Sequence, residues 1–275
     1  MADICVVHLV RAKNGIEPFS NFLESYEKYR SGIDHDLLIV FKGFHRKHNL
    51  SEYNQLLRHV SHKTLYIHDY GLDIRAYYLT AKINDNKYFC FLNSFSTVLD
   101  HEWLLKLYSH ITKQGIGLVG ATGSYESAYT NLLIKQKSIR LSKTQIMRRF
   151  GHLLVKTKYK HYFDPFPNYH IRTNGFMISR DVMSKIHRGI ILSKMDAYRF
   201  ESGKQSLTKQ VLQMNLKVLI VGKNGEGYKR RDWYRSGTFR QGEQNNLLIA
   251  DNQTNAYLQA GPELKCLLSH LAWEE

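Results

Sequence analysis

The sequence lacks several features that would place it in common classes of protein. No run of about 18 apolar residues occurs, so no segment is predicted to span a bilayer. The three cysteines (Cys5, Cys90 and Cys266) are far apart and form no Cys-x-x-Cys pair, which favours a reducing cytoplasm. The 14 histidines are scattered and include no His-Glu-x-x-His motif, so no structural metal is predicted.

Nucleotide-binding and nucleic-acid-binding signatures are also missing. The sequence has neither a GxxxxGK[ST] loop nor a GxGxxG motif after its first expected strand. "GATGS" (120–124) lacks the lysine of such a loop, and we interpret it as a turn. No RRM, KH, helix-turn-helix or zinc-finger pattern occurs, so nucleic acid is not favoured as a partner.

The charge is strongly basic, with a net value of +15, which implies anionic partners. Between Ser127 and Phe163 there is no Asp or Glu, and the basic residues alternate with apolar ones. This pattern is typical of a helix on an anionic membrane surface, although a solvated helical hairpin would look the same. The basic residues are Lys135, Lys137, Arg140, Lys143, Arg148, Arg149, Lys156, Lys158 and Lys160.

Strands and helices are expected to alternate over the first 124 residues. Apolar runs predict strands, and amphipathic stretches predict helices between them. The expected strands are 4–10, 36–44, 64–71, 88–93 and 116–124, and the expected helices are 18–30, 50–60 (with Ser51 as its cap), 73–83 and 101–112. This order predicts an α/β fold with a mostly parallel, twisted sheet and helices on both faces.

The second half is less regular. A strand is expected over 170–179, interrupted at Asn174-Gly175, then a helix entered near Ser206 and a strand over 218–222. The Gly-rich, charged stretch 223–246 is expected to be a mobile flap. We predict one domain over 1–275, with a nucleotide-binding half (1–124), a basic amphipathic insertion (125–165) and an acceptor-side catalytic half (166–275).

Polar residues follow the expected strands, at the edge where open α/β sheets bind ligands. Asp69 and Asp73 could accept hydrogen bonds from a base or a ribose, and Gly71 would let the backbone approach a planar ligand. Taken alone, Asp73 is better explained as a helix cap. The predicted donor-binding residues of these strand ends are Arg11, Asp69, Gly71, Asp73, Asn93, Ser94 and Ser96.

The order of these pieces resembles a known family. A G-x-D-x-x-A sequence (71–76) opens a helix, and a polar triplet ends strand four. "HIRTNGFMISRDVM" and "FESGKQSLTKQV" follow. This resembles bacterial GT-A glycosyltransferases that build capsule and O-antigen polysaccharides. The resemblance implies a GT-A-like fold and transfer of a sugar from a nucleotide-sugar donor to a glycan or a lipid-linked acceptor.

One position departs from the family. Where the family carries an Asp-x-Asp that binds a divalent metal and the donor diphosphate, this sequence has Asn93-Ser94-Phe95-Ser96. Asn and Ser are poor ligands for Mg²⁺ or Mn²⁺, so a divalent metal stays open as a cofactor but is not expected. Fixed cations are predicted to stabilise the diphosphate instead, namely Arg231, Arg235 and Arg240 of the stretch 223–246.

The resemblance also implies a catalytic base. In inverting members a carboxylate just before or at the start of a helix takes the acceptor's proton, and Glu201 fits that place. Its neighbour Phe200 would raise its pKa. Alternatively, Glu201 neutralises a nearby cation (Arg199, Lys204 or Lys209), and a retaining mechanism stays open. The acceptor-side candidates, which would otherwise form an ordinary edge strand, are His170, Arg172, Thr173 and Asn174.

Two other classes of function stay open. One is a different nucleotide-handling α/β enzyme, and the other is a basic, non-enzymatic module that binds nucleic acid or a membrane surface. Asp3 stands where a secretory signal would carry positive charge, so we expect a cytoplasmic protein. The basic stretch predicts peripheral attachment to the inner membrane face.

Overall fold

The structure is a computed structural model that describes residues 2–45, 50–138 and 146–274, without the side chains of 135–138 and 146–153. In these residues the strands are β1 (Ile4–Arg11), β2 (Asp36–Lys42), β3 (Lys63–Ile67), β4 (Tyr88–Leu92), β5 (Thr97–Val98), β6 (Ile116–Gly120), β7 (Gly123–Ser124), β8 (His170–Ile171), β9 (Gly175–Ser179), β10 (Lys217–Val221), β11 (Gly227–Lys229) and β12 (Ile249–Ala250). The α-helices are α1 (Glu17–Lys28), α2 (Ser51–Leu56), α3 (Leu72–Ile83), α4 (Trp103–Ile111), α5 (Ala128–Ser138), α6 (Ile146–Tyr162), α7 (Arg180–Lys185), α8 (Lys194–Ser202), α9 (Leu207–Gln213), α10 (Asn252–Gln259) and α11 (Pro262–Trp273). Short 3-10 helices cover Ala12–Asn14 and Arg230–Arg235.

Eight of these strands form one mixed sheet in the order β11-β10-β6-β9-β4-β1-β2-β3. β2 and β4 flank β1 and run parallel to it, and β3 continues this parallel set. β9 is antiparallel to both of its neighbours, β4 and β6, and β11 is antiparallel to β10. The prediction of an α/β fold with a mostly parallel sheet is therefore confirmed, with two inverted strands added.

Helices cover both faces of this sheet because side chains alternate along each strand. Val7 belongs to one hydrophobic core together with Tyr77 of α3. Val6 belongs to a second core, together with Phe22 of α1 and Trp103 of α4. A strand buried on both faces needs a continuous apolar run, which is how β1 reads in the sequence.

The inversion of β9 decides which residues reach the ligand-binding edge. Gly175 pairs with Leu92, and Ser179 pairs with Tyr88, so the start of β9 lies beside the end of β4. The link between β8 and β9 (residues 172–174) therefore arrives at the carboxyl edge of the parallel strands. This is the edge where open α/β sheets bind ligands.

Two local predictions of the first half are wrong. Ser51 is the first residue of α2 and not its cap, because Leu50 holds the cap position and no side chain caps this end. The strand expected over 116–124 stops at Gly120, and the chain continues into β7, which pairs with β8 outside the main sheet.

The stretch 223–246 is packed against the domain and is not the mobile flap that its composition predicts. Trp233 and Thr238 are fully buried, and Phe239 is 2% exposed. The indole of Trp233 stacks with Tyr125, and its nitrogen donates to the carbonyl of Tyr228 at 3.1 Å. Burial of these aromatic side chains outweighs the local preference of Gly and charged residues for an open loop.

The predicted basic insertion contains α5 and α6, while residues 139–145 lie outside the described chain. The cations predicted at positions 135, 137, 140, 143, 148 and 149 therefore have no described side chains. At the described end of α6, Leu154 is 72% exposed and precedes the exposed Lys156. Membrane contact by this segment stays a prediction. Of the helices in the described residues, none has the length and the apolar character that crossing a membrane requires.

Candidate active site

A cleft of about 510 Å³ opens at the carboxyl edge of the sheet. Its walls come from the end of β4, the start of α3, the β8–β9 link, the end of α8 and the start of α10. The predicted site residues that line it are Asp73, Asn93, His170, Arg172, Thr173, Asn174, Glu201 and Arg240. Those outside its lining are Arg11, Asp69, Gly71, Ser94, Ser96, Arg231 and Arg235.

Glu201 reaches the cleft from the last turn of α8. Its carboxylate accepts hydrogen bonds from the backbone N–H of Thr173 at 3.4 Å and from the Thr173 hydroxyl at 3.0 Å. Burial raises the pKa of this carboxyl group, and the charge of Arg172 and the Thr173 bonds offset that only in part. The predicted direction of the pKa shift is confirmed.

The predicted helical context of Glu201 is wrong. The sequence suggested a loop residue that precedes the helix at Ser206, whereas Glu201 belongs to a separate helix that starts at the Ser193 cap. The Ser193 hydroxyl and the Asp196 carboxylate cap this helix reciprocally, in a capping box that the prediction overlooked.

Two of the three cations that could have neutralised Glu201 have other partners. Arg199 forms an ion pair with Asp196 at 3.3 Å. Lys209 binds the carboxylate of Asp164 and donates to Oδ1 of Asn168 at 2.7 Å. The carboxylate of Glu201 is therefore directed into the cleft and is not held by either of these surface ion pairs.

The end of β4 is organised by its own hydrogen bonds. Oδ1 of Asn93 accepts from the backbone N–H of Phe95 at 2.8 Å and lies 3.1 Å from the Ser96 hydroxyl. Ser96 is fully buried and also donates to the Asn174 carbonyl, while the hydroxyl of the buried Ser94 has no hydrogen-bond partner among the described residues. Of these three residues, Asn93 lines the cleft, whereas Ser94 and Ser96 lie outside the lining, and their donor contact stays a prediction.

This end of β4 does not fit a divalent cation. It offers no carboxylate, and the one side-chain oxygen that faces the cleft, Oδ1 of Asn93, already accepts from the backbone of Phe95. Hard cations such as Mg²⁺ and Mn²⁺ prefer carboxylate oxygens. Among the described residues, no group of three or more His, Cys, Asp or Glu is arranged to hold a metal ion.

Beside the cleft, a partly buried charge cluster joins the ends of β1, β2 and β3. Arg11 binds Asp69 at 2.7 Å, and the ammonium group of Lys42 lies 3.5 Å from the same carboxylate. Lys42 is fully buried and donates to the carbonyl groups of Tyr70 at 3.2 Å and Leu72 at 2.7 Å. Burial alone would raise the pKa of Asp69, but the Arg11 hydrogen bond and the nearby charges lower it.

Lys42 was not identified from the sequence as part of this cluster, because a lysine at the end of an apolar run usually marks the solvent-exposed end of a strand. The predicted contact of Arg11 and Asp69 with the donor is not supported by their position, since they bind each other outside the cleft lining. Their effect on the cleft is electrostatic, because Arg11 and Lys42 both act on the neighbouring Asp73.

Asp73 lies in the first turn of α3 and lines the cleft. It does not cap the helix, and its Oδ1 is buried without a hydrogen-bond partner in the described chain. Burial raises its pKa, which Arg11 and Lys42 counteract. Gly71 holds the N-cap position of α3 with a φ of +73° and lies outside the cleft lining, and its contact with a planar ligand stays a prediction.

Two arginines that line the cleft both lie over one aromatic ring. Arg172 binds Asp251 at 2.9 Å and lies 4.2 Å from the Phe239 ring centre. Arg240 binds Glu126 at 2.9 Å and lies 4.8 Å from the same ring. Arg240 also has a φ of +49°, a strained value for a residue with a side chain. Each guanidinium group is thus fixed in orientation by a carboxylate and a ring.

The other acceptor-side candidates are mostly buried in the cleft wall. Nδ1 of His170 lies 2.8 Å from the Asn168 carbonyl, and burial lowers the pKa of His170 to about 4. The side chain of Asn174 accepts from Thr122 and donates to the Ile249 carbonyl at 3.2 Å. Asn174 therefore acts mainly as a brace between the β8–β9 link and its neighbours.

Arg231 and Arg235 do not reach the cleft. The Arg231 side chain is 81% exposed and lies 3.5 Å from Asp232, and Arg235 lies over the ring of Tyr234 at 5.0 Å. The 3-10 helix that carries them is anchored by the buried Trp233, and their closure over the diphosphate stays a prediction.

No protein-family model and no curated protein matches this sequence. Among solved structures, a mannosyltransferase from Pyrobaculum calidifontis, in complex with GDP-Man and Mn²⁺, is 10% identical over 98% of this chain and 69% of its own, with a TM-score of 0.51. Core-mannan synthase A from Aspergillus fumigatus, in its Mn/GDP form, is 12% identical over 78% of this chain and 69% of its own, with a TM-score of 0.43. A 4-diphosphocytidyl-2C-methyl-D-erythritol synthase from Anaerococcus prevotii is 14% identical over 79% and 87%, also with a TM-score of 0.43. The likeness to the first of these concerns the fold, and it shows that the chain has a GT-A-like α/β fold.

Proposed function

We propose that this protein is a glycosyltransferase that moves a sugar from a nucleotide-sugar donor to a hydroxyl group of a glycan or a lipid-linked acceptor. The observation that carries the proposal is the convergence of Glu201, Asp73 and Asn93 on one cleft at the carboxyl edge of a GT-A-like sheet. The sequence resemblance adds a bacterial capsule or O-antigen as the product and the cytoplasmic face of the membrane as the place of synthesis.

Glu201 is the proposed general base of an inverting reaction. The acceptor oxygen attacks the anomeric carbon of the donor sugar, and the bond from that carbon to the diphosphate breaks with its electrons on the leaving oxygen. The acceptor proton passes to the Glu201 carboxylate. A pKa raised by burial makes this carboxylate a stronger base than an exposed glutamate. The Thr173 hydrogen bonds hold it in place.

Asp73 is the proposed contact to the nucleoside. Its Oδ1 is buried at the cleft without a protein partner in the described residues. A buried polar atom of this kind normally has a hydrogen-bond partner. A hydroxyl or N–H group of the nucleoside would supply the missing donor.

Arg172 and Arg240 are the proposed partners of the departing diphosphate. A guanidinium group has five N–H donors. Arg172 uses donors for Asp251 and Thr122, and Arg240 for Glu126 and Gln253, so each keeps donors for phosphate oxygens. Paired arginines fixed in orientation lose little entropy on binding phosphate. No step of this proposal uses a metal, because the end of β4 does not fit one.

The first test is a thermal-shift series with UDP, GDP, dTDP and CMP, followed by nucleoside diphosphate release from the matching sugar donors in excess EDTA. At about 100 times its Kd, a specific nucleotide should stabilise the protein by about 2.7 kcal/mol. We expect release to persist in EDTA. Loss of this release in EDTA, with rescue by Mn²⁺, would mean that a metal ion and not the two arginines stabilises the departing diphosphate. No stabilisation by any nucleotide, with salt-sensitive binding of random DNA, would replace the transferase by a basic binding module.

A further inference from the structure

A second depression, of about 750 Å³, lies between α3, α7 and the loop of residues 187–193 that leads into α8. We call this loop the docking loop. Apolar side chains such as Leu79 and Met183 line the depression together with four cations, and no Asp or Glu belongs to its lining. The four cations are Arg75, Lys82, Arg180 and Arg188.

The docking loop exposes two aliphatic side chains on a fixed backbone. Ile190 is 79% exposed and Leu192 is 82% exposed, whereas Ile191 between them is 6% exposed and belongs to the core beside α3. The loop is held at its start, because the backbone of His187 both donates to and accepts from the Gln210 side chain at 2.7 and 2.9 Å. Its exposed side chains are therefore presented by well-anchored neighbours.

Positive charge surrounds this apolar tip. Arg188 and Lys194 flank it in sequence, and Lys82 lies across the depression. In the described chain, Arg75, Lys82 and Arg188 form no ion pair with an acid. Arg180 does pair, with Asp85 at 3.0 Å. Asp196, the nearest acid along the chain after the loop, is engaged in the cap of α8.

We propose that the docking loop binds an anionic lipid bilayer. Ile190 and Leu192 would enter the boundary between head groups and acyl chains, and Arg188, Lys82 and Lys194 would contact lipid phosphates. Short apolar tips ringed by cations suit a surface that is anionic outside and apolar beneath.

A protein partner fits these features less well than a bilayer. Stable protein interfaces bury about 1,200–2,000 Å², and the exposed apolar surface of the docking loop consists of the two aliphatic side chains of Ile190 and Leu192. A second copy of this chain would bring the same cations face to face, and each chain already carries a net charge of +15. The inference does not depend on sugar transfer.

The test is cosedimentation with phosphatidylcholine vesicles that contain or lack phosphatidylglycerol. The double variant Ile190→Ser/Leu192→Ser should weaken binding to the anionic vesicles by roughly tenfold or more. Lys82→Gln/Arg188→Gln should weaken it by about fivefold for each charge removed, and more so at low salt. The matched control is Leu264→Ser/Leu267→Ser on α11, whose leucines are 49% and 48% exposed and should not affect binding.

Each contrary outcome has a defined meaning. Failure of the wild-type protein to bind anionic vesicles would overturn the proposal. So would wild-type binding by both double variants, Ile190→Ser/Leu192→Ser and Lys82→Gln/Arg188→Gln. A loss confined to Leu154→Ser would move the contact to α6. Binding of a soluble short-chain phosphatidylglycerol, without binding of vesicles, would place one lipid molecule in the depression instead of a bilayer against the loop. Melting temperatures of all variants check that they remain folded.

Discussion

Replacing Glu201 by glutamine separates a catalytic role of its carboxylate from a structural one. Glutamine has nearly the same shape and can still accept a hydrogen bond from Thr173, but it cannot take up a proton. A general base contributes about 10²- to 10⁴-fold to the rate, so turnover should fall by that factor. The KM for the donor should change little, because Glu201 is assigned to the acceptor proton and not to donor binding.

The same substitution should have the opposite effect on stability. Burial raises the pKa of Glu201 above its ordinary value of 4.5, so the folded protein binds this proton more tightly than the unfolded chain does. The stabilising contribution of the protonated group is fully present below the unfolded pKa and is lost as the pH rises through the folded pKa. Glutamine has no proton to lose in this pH range, so E201Q does not lose stability in this way as the pH rises. The melting temperature of E201Q should therefore match or exceed that of the wild type at neutral pH, and the advantage should shrink as the pH falls.

The assay is release of nucleoside diphosphate from the donor that the thermal-shift series identifies, measured against pH. Wild-type turnover should decline toward acid pH with an apparent pKa above 4.5, as the base becomes protonated. D196N is the matched control on α8, because the side-chain oxygen of asparagine can still accept from the Ser193 backbone and Asp196 lies at the opposite end of the helix from the cleft. Normal turnover by E201Q would remove Glu201 as the base. Parallel losses of turnover and melting temperature would assign it a structural role.

Two further substitutions test the start of α3. Burial raises the pKa of Asp73, so the charged carboxylate is unfavourable in the folded state, and D73N should be at least as stable as the wild type at neutral pH. The affinity of D73N for the nucleoside diphosphate should fall about 10- to 100-fold. Titration calorimetry measures this, and an unchanged Kd would contradict the nucleoside contact. G71A should lower the unfolding free energy by about 1–3 kcal/mol, because φ is +73° and an added Cβ would lie 2.7 Å from Cβ of Arg75. Urea denaturation measures it against G261A, where φ is −66° and an added Cβ would have no neighbour within 4 Å. Equal losses in the two variants would refute the argument from backbone geometry.

The parallel half of the fold could be predicted because its signals are local. The run at β1 is buried from Ile4 to Val10 and apolar at each of these positions except His8, as a doubly covered strand requires, and amphipathic stretches follow it at helical spacing. The inversion of β9 could not be predicted in this way. Whether a strand enters between β4 and β6 in one direction or the other depends on pairing between residues far apart in sequence, such as Gly175 and Leu92.

The candidate site shows the same division. The strand ends that carry Asp73 and Asn93 were predicted to approach one another, because the carboxyl ends of parallel strands share one edge. The burial of Lys42, and the pairing of Arg172 with Asp251, depend on tertiary contacts for which the sequence has no local signal. The prediction for 223–246 was wrong because it was based on composition. Glycine and charged residues suggested a mobile stretch, whereas burial of Trp233 holds it against the domain.

α8 connects the two surfaces for which we propose functions. The docking loop leads into its first turn, and Glu201 lies in its last. Nine helical residues span roughly 13 Å at 1.5 Å per residue, so α8 would hold the catalytic cleft at a fixed, short distance from a bilayer bound at the loop. Because the capping box fixes the start of this helix and Thr173 binds Glu201 near its end, the distance would not vary with loop motion. An acceptor anchored in the membrane by a lipid would then need to extend its reactive hydroxyl by only a few sugar residues to meet Glu201.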